Sequence, residues 1–172
     1  MATNTSLKRN YLDIPEVPAT VWSNPLHFIA FGFGVGVIPF APGTFGTLIA
    51  IPFYLVLQLF SWKIYLSVLI IATIASMWVC DKVSKELKID DHQGMCLDEV
   101  IGFLWAMIAI PYAWKWLALG FILFRLFDIW KPWPIRYVDN HVHGGVGMIL
   151  DDILAGIASC AILHILIKVT GL

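Results

Sequence analysis

Ile64-Tyr-Leu-Ser-Val-Leu-Ile-Ile-Ala-Thr-Ile-Ala-Ser-Met-Trp-Val-Cys80 is a run of seventeen residues without one charge, and it is not alone. Val100–Trp114 is uncharged for 15 residues, Trp116–Phe124 for 9 and Ile153–Ile167 for 15. Between Val17 and Trp62 there is no Asp, Glu, Lys or Arg at all. Hydrophobic residues make up 59% of the 172-residue chain and charged residues 13%, with a mean hydropathy of +0.81. A soluble domain carries about 25% charged residues, so the class is an integral membrane protein. The length fits one domain.

Punctuation divides the apolar sequence into helices. Gly32, Gly34, Gly36, Pro39, Pro42, Gly43 and Gly46 interrupt the first stretch, and Pro and Gly at this density end helices. A short helix is expected at 25–37, a loop at 38–46 and a helix at 47–62. Further helices are expected at 64–80, 100–113, 116–127 and 152–168. The fold class is all-α: a compact helical membrane protein with five to six apolar helices and a polar site at one membrane face. Residues 1–24, polar and containing Pro15 and Pro18, read as an arm, and 25–172 as a single membrane-embedded domain. No signal peptide is expected ahead of the first apolar run, because the start is polar. The runs are shorter than the roughly 20 residues a span needs, so the spans must borrow their flanks, the bilayer must thin, or some helices only dip in. Trp62, Trp114, Trp116, Trp130 and Trp133 near run ends fit interfacial anchoring.

If the five helices each cross once, Lys8, Arg9, Lys82, Lys85, Lys88, Arg125, Lys131 and Arg136 fall on one side, and Lys63, Lys115 and Lys168 on the other. The richer side is expected to be cytoplasmic. All twelve acids fall on that same side. The net charge of -1 and the absence of a basic stripe give no sign of a nucleic-acid partner. Cys80, Cys96 and Cys160 are scattered, with no CxxC, and read as packed thiols rather than a disulfide frame or zinc site.

The acids carry the chemistry. Asp98-Glu99, Asp128 and Asp151-Asp152 sit at the edges of long apolar segments. Two carboxylates 4 Å apart repel by about 4 kcal/mol at an effective dielectric near 20, and a divalent cation is the simplest relief. Asp98-Glu99 enters an apolar helix and is followed by Gly102, where another helix can pack closely. The plainer account is acids placed to favour the helix dipole, and capping is likewise the plainer account of Asp151-Asp152. Asp90-Asp91-His92 reads as loop, at most peripheral to the site. Arg125, Asp128 and Lys131 recur every three residues and so share a helix face. Arg125 interrupts an apolar run, which makes it a functional-site candidate, although a salt-bridge ladder would look the same. Pro39-Phe-Ala-Pro-Gly-Thr-Phe-Gly-Thr47 leads into a helix whose free N–H groups suit phosphate. Gly43 and Gly46 there permit close approach and Thr44 and Thr47 add hydroxyls. A breaker loop with a Thr cap is the plainer reading. His143, in a glycine-rich approach loop, is a candidate proton donor to a leaving oxygen, although a lone loop His is more often simply exposed. His27, His92, His141 and His164 receive no role.

Carboxylates and hydroxyls without a Cys or His cluster favour Mg²⁺ or Mn²⁺ over Zn²⁺. Phosphoryl transfer or hydrolysis on a lipid headgroup uses these parts. A small ion-coupled transporter is the reading from another class, and it expects acids spread through the membrane depth. Transfer of phosphatidyl groups from CDP-lipids would want an Asp-Gly-Ala-Arg signature, which is absent.

The runs PxAPGTFGTL, DExxG, FRxFDxxKPWPI and HGGxGxxxDDxxAG, in this order over residues 24–160, resemble the bacterial phosphatidylglycerophosphatase A family. The resemblance implies a Mg²⁺-dependent inner-membrane phosphatase acting on phosphatidylglycerophosphate. The family's acidic positions fall on Asp98, Glu99, Asp128, Asp151 and Asp152. Its basic positions fall on Arg125 and Lys131, and its Gly-Thr loop on Gly43, Thr44, Gly46 and Thr47.

Overall fold

The computed structural model describes residues 17–89 and 92–170. Most of the expected N-terminal arm, together with Lys8, Arg9, Asp90 and Asp91, lies outside the described residues. The described residues are all-helical with no strand: α1 (Pro25–Ala30), α2 (Pro42–Leu57), α3 (Trp62–Leu87), α4 (Leu97–Ala106), α5 (Trp114–Trp130), α6 (Ile135–His141) and α7 (Gly144–Thr170). The described part of the arm is docked: Val21, in a 3-10 turn at Ala19–Trp22, is fully buried, and Thr20 Oγ1 lies 2.9 Å from His27 Nδ1.

Two helices among the described residues, α3 and α7, are long and apolar enough to cross a membrane, fewer than the five to six apolar helices expected. With 26 and 27 residues they reach about 40 Å, whereas the ten residues of α4 reach about 15 Å, half the hydrocarbon thickness. The short uncharged run that opens with Val100 is therefore a core helix, not a span. It lies at the centre of the bundle, with Val100, Ile101, Gly102, Phe103, Leu104 and Ala106 buried against α2, α3, α5 and α7.

Much of the outside of the bundle is apolar, and several polar side chains are turned inward. Ile64, Ile71, Ile74 and Trp78 of α3 and Ile165 and Val169 of α7 are exposed. Thr73, Ser76 and Ser159 are buried, Trp105 Nε1 donates to Thr73 Oγ1 at 3.1 Å and Tyr65 donates to the Leu104 carbonyl at 2.7 Å. An aliphatic exterior over small and hydrogen-bonded interior positions is the arrangement hydrocarbon surroundings favour. Helices α4 and α7 approach to backbone contact. A Cβ on Gly102 would stand 2.8 Å from the Asp152 carbonyl oxygen, and one on Gly156 would overlap the Gly102 carbonyl. Only glycine lets these backbones touch, and the contact carries Asp152 to the start of α4.

Helix direction alternates. Tyr54, late in α2, donates to the Ile110 carbonyl just past α4, and the start of α3 meets the end of α4 through Tyr65. At the opposite end, Gly145 of α7 presses on the α3 backbone at Met77 and Asp81. The starts of α2, α4 and α7 and the ends of α3 and α5 thus gather at one end of the bundle.

Candidate active site

That end encloses a cavity of about 400 Å³ lined by Gly43, Asp98, Glu99, Arg125, Asp128, Lys131, Asp139, His143, Asp151 and Asp152 among others. Each side chain arrives for a local reason. Asp98 and Glu99 occupy the first turn of α4, where the helix dipole favours negative charge. Arg125 and Asp128, three apart in the last turns of α5, bond to each other at 2.5 Å. Lys131 caps α5 in a left-handed conformation (φ 44°) and turns towards α6 and α7. Asp151 and Asp152 lie about two turns inside α7, because that helix starts at Gly144 rather than near 152. The glycines expected to form an approach loop are its opening turns. Capping therefore does not account for Asp151 and Asp152, which are 6% and 3% exposed.

The five acids expected as ligands separate into two groups. Asp98, Glu99 and Asp152 each present a carboxylate oxygen within 4.8 Å of the others. Asp128 is held by Arg125 and Asp151 by Lys131, at 2.5 Å each. Arg125 also reaches Glu99 Oε1 at 3.7 Å, and the Asp152 carboxyl faces Asp128, Asp98 and Asp151. Lys131 holds a further carboxylate, Asp139, at 2.6 Å.

Among the cavity-lining residues six carboxylates face one Arg and one Lys, so an anionic ligand needs a further cation to enter. Glu99 Oε2 and Asp151 Oδ1 are buried without a hydrogen-bond partner among the described residues, the condition a hard cation relieves. Burial is the main cause pushing the Glu99 carboxyl up to about 8. The hydrogen bond from Asp98 opposes it, Asp152 and Asp128 add to it, and Arg125 opposes it. Burial works against the charge on Lys131, but hydrogen bonds to Asp139 and Asp151 outweigh it and hold the ammonium above its ordinary value.

The loop before α2 is built differently from expectation. α2 begins at Pro42, at its first helical position, not at 47. Thr47 is fully buried and donates to the Gly43 carbonyl at 2.9 Å, while Gly46 packs against Cys96. Thr44, Gly46 and Thr47 are not among the lining residues; Ala41, Pro42 and Gly43 are. A Cβ on Gly43 would overlap Glu99 Oε1 and stand 3.0 Å from an Arg125 nitrogen, so α2 presses its first turn onto the Glu99–Arg125 pair. His143 is exposed at the cavity wall. Gln93, Met95 and Asp139 also line the cavity and were not anticipated. Asp139 stands eight residues from Lys131 on α6, in a stretch read as loop, and no helical spacing links the two. His27 pairs with Glu86 at 2.9 Å, away from the cavity lining. Cys80 and Cys96 are buried, Cys160 is partly buried, and none of the three is in a disulfide.

The sequence profile described as Phosphatidylglycerophosphatase A matches residues 28–167. A relative from Escherichia coli K12 named Phosphatidylglycerophosphatase A is 43% identical over 143 residues, covering 83% of this chain and 83% of the relative. One of the same name from Haemophilus influenzae Rd is 40% identical over 136 residues, 78% of this chain and 83% of the relative. A third, from Bacteroides thetaiotaomicron, is 35% identical over 152 residues, 83% of this chain and 94% of the relative, and is provisionally named a phosphatidylinositol-3-phosphatase. No solved structure matches the chain.

Proposed function

Because the chain belongs to the phosphatidylglycerophosphatase A family, we propose that it hydrolyses the terminal phosphate of phosphatidylglycerophosphate, giving phosphatidylglycerol and inorganic phosphate. The relatives' names support the reaction. One observation of the structure supports the site: three buried-edge carboxylates converge within 4.8 Å beside an Arg and a Lys in a single cavity. The transporter reading expects acids distributed in depth. The cavity acids instead come from helix ends, or two turns from one, at a single end of the bundle.

Asp98, Glu99 and Asp152 would hold Mg²⁺, whose all-oxygen preference matches the donor set. Bound there, the ion would supply charge neutralisation of the phosphate and activation of water. The chain's own residues supply the remainder. Asp128 fixes the Arg125 guanidinium, leaving donors for two phosphate oxygens. Lys131 adds a point charge. His143, at the cavity wall, is placed to give a proton to the departing glycerol oxygen as the phosphorus–oxygen bond breaks. Water is the nucleophile in this reading, since the acids are divided between ion-holding and cation-holding positions and none is set apart for attack. The new phosphorus–oxygen bond is then water's, and its proton passes to a carboxylate of the cavity.

The reading extends to placement. α3 and α7 cross the bacterial cytoplasmic membrane, and α2, α4 and α5 complete the bundle between them. The cavity faces the cytoplasm, because Lys82, Lys85, Lys88, Arg125, Lys131 and Arg136 lie at its end and Lys63, Lys115 and Lys168 at the other. The test is phosphate release by the purified protein from phosphatidylglycerophosphate with added Mg²⁺ or with EDTA. Release that needs Mg²⁺ supports the reading, and release unaffected by EDTA removes the metal from it.

A further inference from the structure

Asp139 and Asp151 are the two cavity acids outside the metal trio and the Arg125 pair, and an acid such as Asp139 at the edge of a phosphate site weakens that site unless it has other work. Its Oδ1 lies 2.6 Å from Lys131 Nζ, whose second partner is Asp151 Oδ2 at 2.5 Å. The two partners differ in depth: the Asp151 side chain is 8% exposed and that of Asp139 is 39% exposed. Lys131 therefore spans from an inner carboxylate to an outer one. Three elements contribute, since Lys131 ends α5, Asp139 is on α6 and Asp151 on α7. Beyond Lys131 the chain reverses at Pro132–Pro134, and Arg136 at the start of α6 donates to the Trp130 carbonyl at 3.1 Å. That bond ties α6 back onto the end of α5 and brings Asp139 to the ammonium.

A lysine has a flexible four-carbon stem, and holding its head in one place costs side-chain entropy. With Asp151 alone, the ammonium would settle into a buried one-to-one pair, drawn away from an incoming anion. A second carboxylate on the outer side holds it in the opening. We propose that Asp139 is a positioning residue that keeps the Lys131 ammonium at the cavity mouth, where it meets the substrate's phosphate, and that α6 exists to deliver it. This rests on the reading of the cavity as a lipid-phosphate site.

The test uses the full chain in detergent–lipid micelles with saturating Mg²⁺. Asp139→Ala is expected to raise KM for phosphatidylglycerophosphate about tenfold, with kcat changed by no more than about threefold. Asp139→Asn should match it, Asp139→Glu should recover most of the loss, and Asp139→Ala should add nothing once Lys131→Ala is present. Calorimetric binding of inorganic phosphate should follow the same pattern, and it separates this proposal from the substrate reading. If wild type binds phosphate but releases none from the lipid, the substrate reading fails while the phosphate titrations still decide the clamp. A fall in kcat at unchanged KM overturns the proposal, as does an equal cost of Asp139→Ala with and without Lys131, or wild-type behaviour of Asp139→Asn.

Discussion

Asp98-Glu99 and Asp151-Asp152 look alike in the sequence and are built differently in the fold. The first pair sits in the opening turn of a ten-residue helix, where the backbone itself favours negative charge. The second sits two turns inside a 27-residue helix, with no backbone compensation and almost no exposure. Neighbouring positions on a helix point about 100° apart, so the second pair divides: Asp152 turns to Asp98 and Glu99, and Asp151 to Lys131. Adjacent acids are not equivalent ligands; the helix they share decides what each can reach.

The comparison is tested most severely by amide substitutions. Asp98→Asn and Asp152→Asn are each expected to lower kcat/KM for phosphate release by about a thousandfold or more, with membrane insertion retained. Asp151→Asn should cost only about ten- to thirtyfold, mainly through KM, because its loss disturbs a lysine rather than the ion. Equal losses at 151 and 152 would erase the distinction between them.

Next in size is the contact that joins the two pairs. Gly156→Ala drives a methyl into the Gly102 carbonyl, and Gly102→Ala drives one against the Asp152 backbone. Each should destabilise the detergent-purified protein by about 1–3 kcal/mol in thermal unfolding, with activity falling alongside. A variant of unchanged stability would mean that α4 and α7 can separate without cost.

A smaller effect follows from Glu99. Without a divalent cation the folded protein keeps its proton to about pH 8, whereas the unfolded chain releases it near 4.5. Its contribution to stability is full below 4.5 and is lost as pH rises through about 8. Mg²⁺ competes with that proton, so the gain in melting temperature on adding Mg²⁺ should grow across this window and level off above it. A gain independent of pH would place the ion away from Glu99. The smallest effect is expected at Thr47→Val, within about threefold of wild-type activity, since that hydroxyl serves the interior of α2.

Much of this was legible before the structure. The uncharged runs give the helices, and the segregation of charge puts every site motif at one end. What was not legible depends on where helices start. The sequence places breaks at glycines, yet only Gly144 (φ 72°) marks a helix boundary, while Gly145 and Gly147 are accommodated inside α7, where the tight packing on α3 at Gly145 outweighs glycine's low helix propensity. Two acids that read as caps thereby became buried side chains. Pro42 opens α2 rather than breaking it, so Thr47, which resembled a cap, became a core hydroxyl. Asp139 had no readable signal, because its partner lies across a turn and a short helix that the sequence leaves unmarked. Candidate spans are fewer than apolar runs because an uncharged run records burial, whether in lipid or, for α4, in protein.

Divalent-cation binding to the trio, measured without reference to turnover, decides the account. Mn²⁺ binding to the purified protein, followed by electron paramagnetic resonance with competition by Mg²⁺, should show a site in the wild type. That site should weaken about a hundredfold or more in Asp152→Asn and in Asp98→Asn, and little in Asp151→Asn. Unchanged Mn²⁺ affinity in both Asp98→Asn and Asp152→Asn would contradict it.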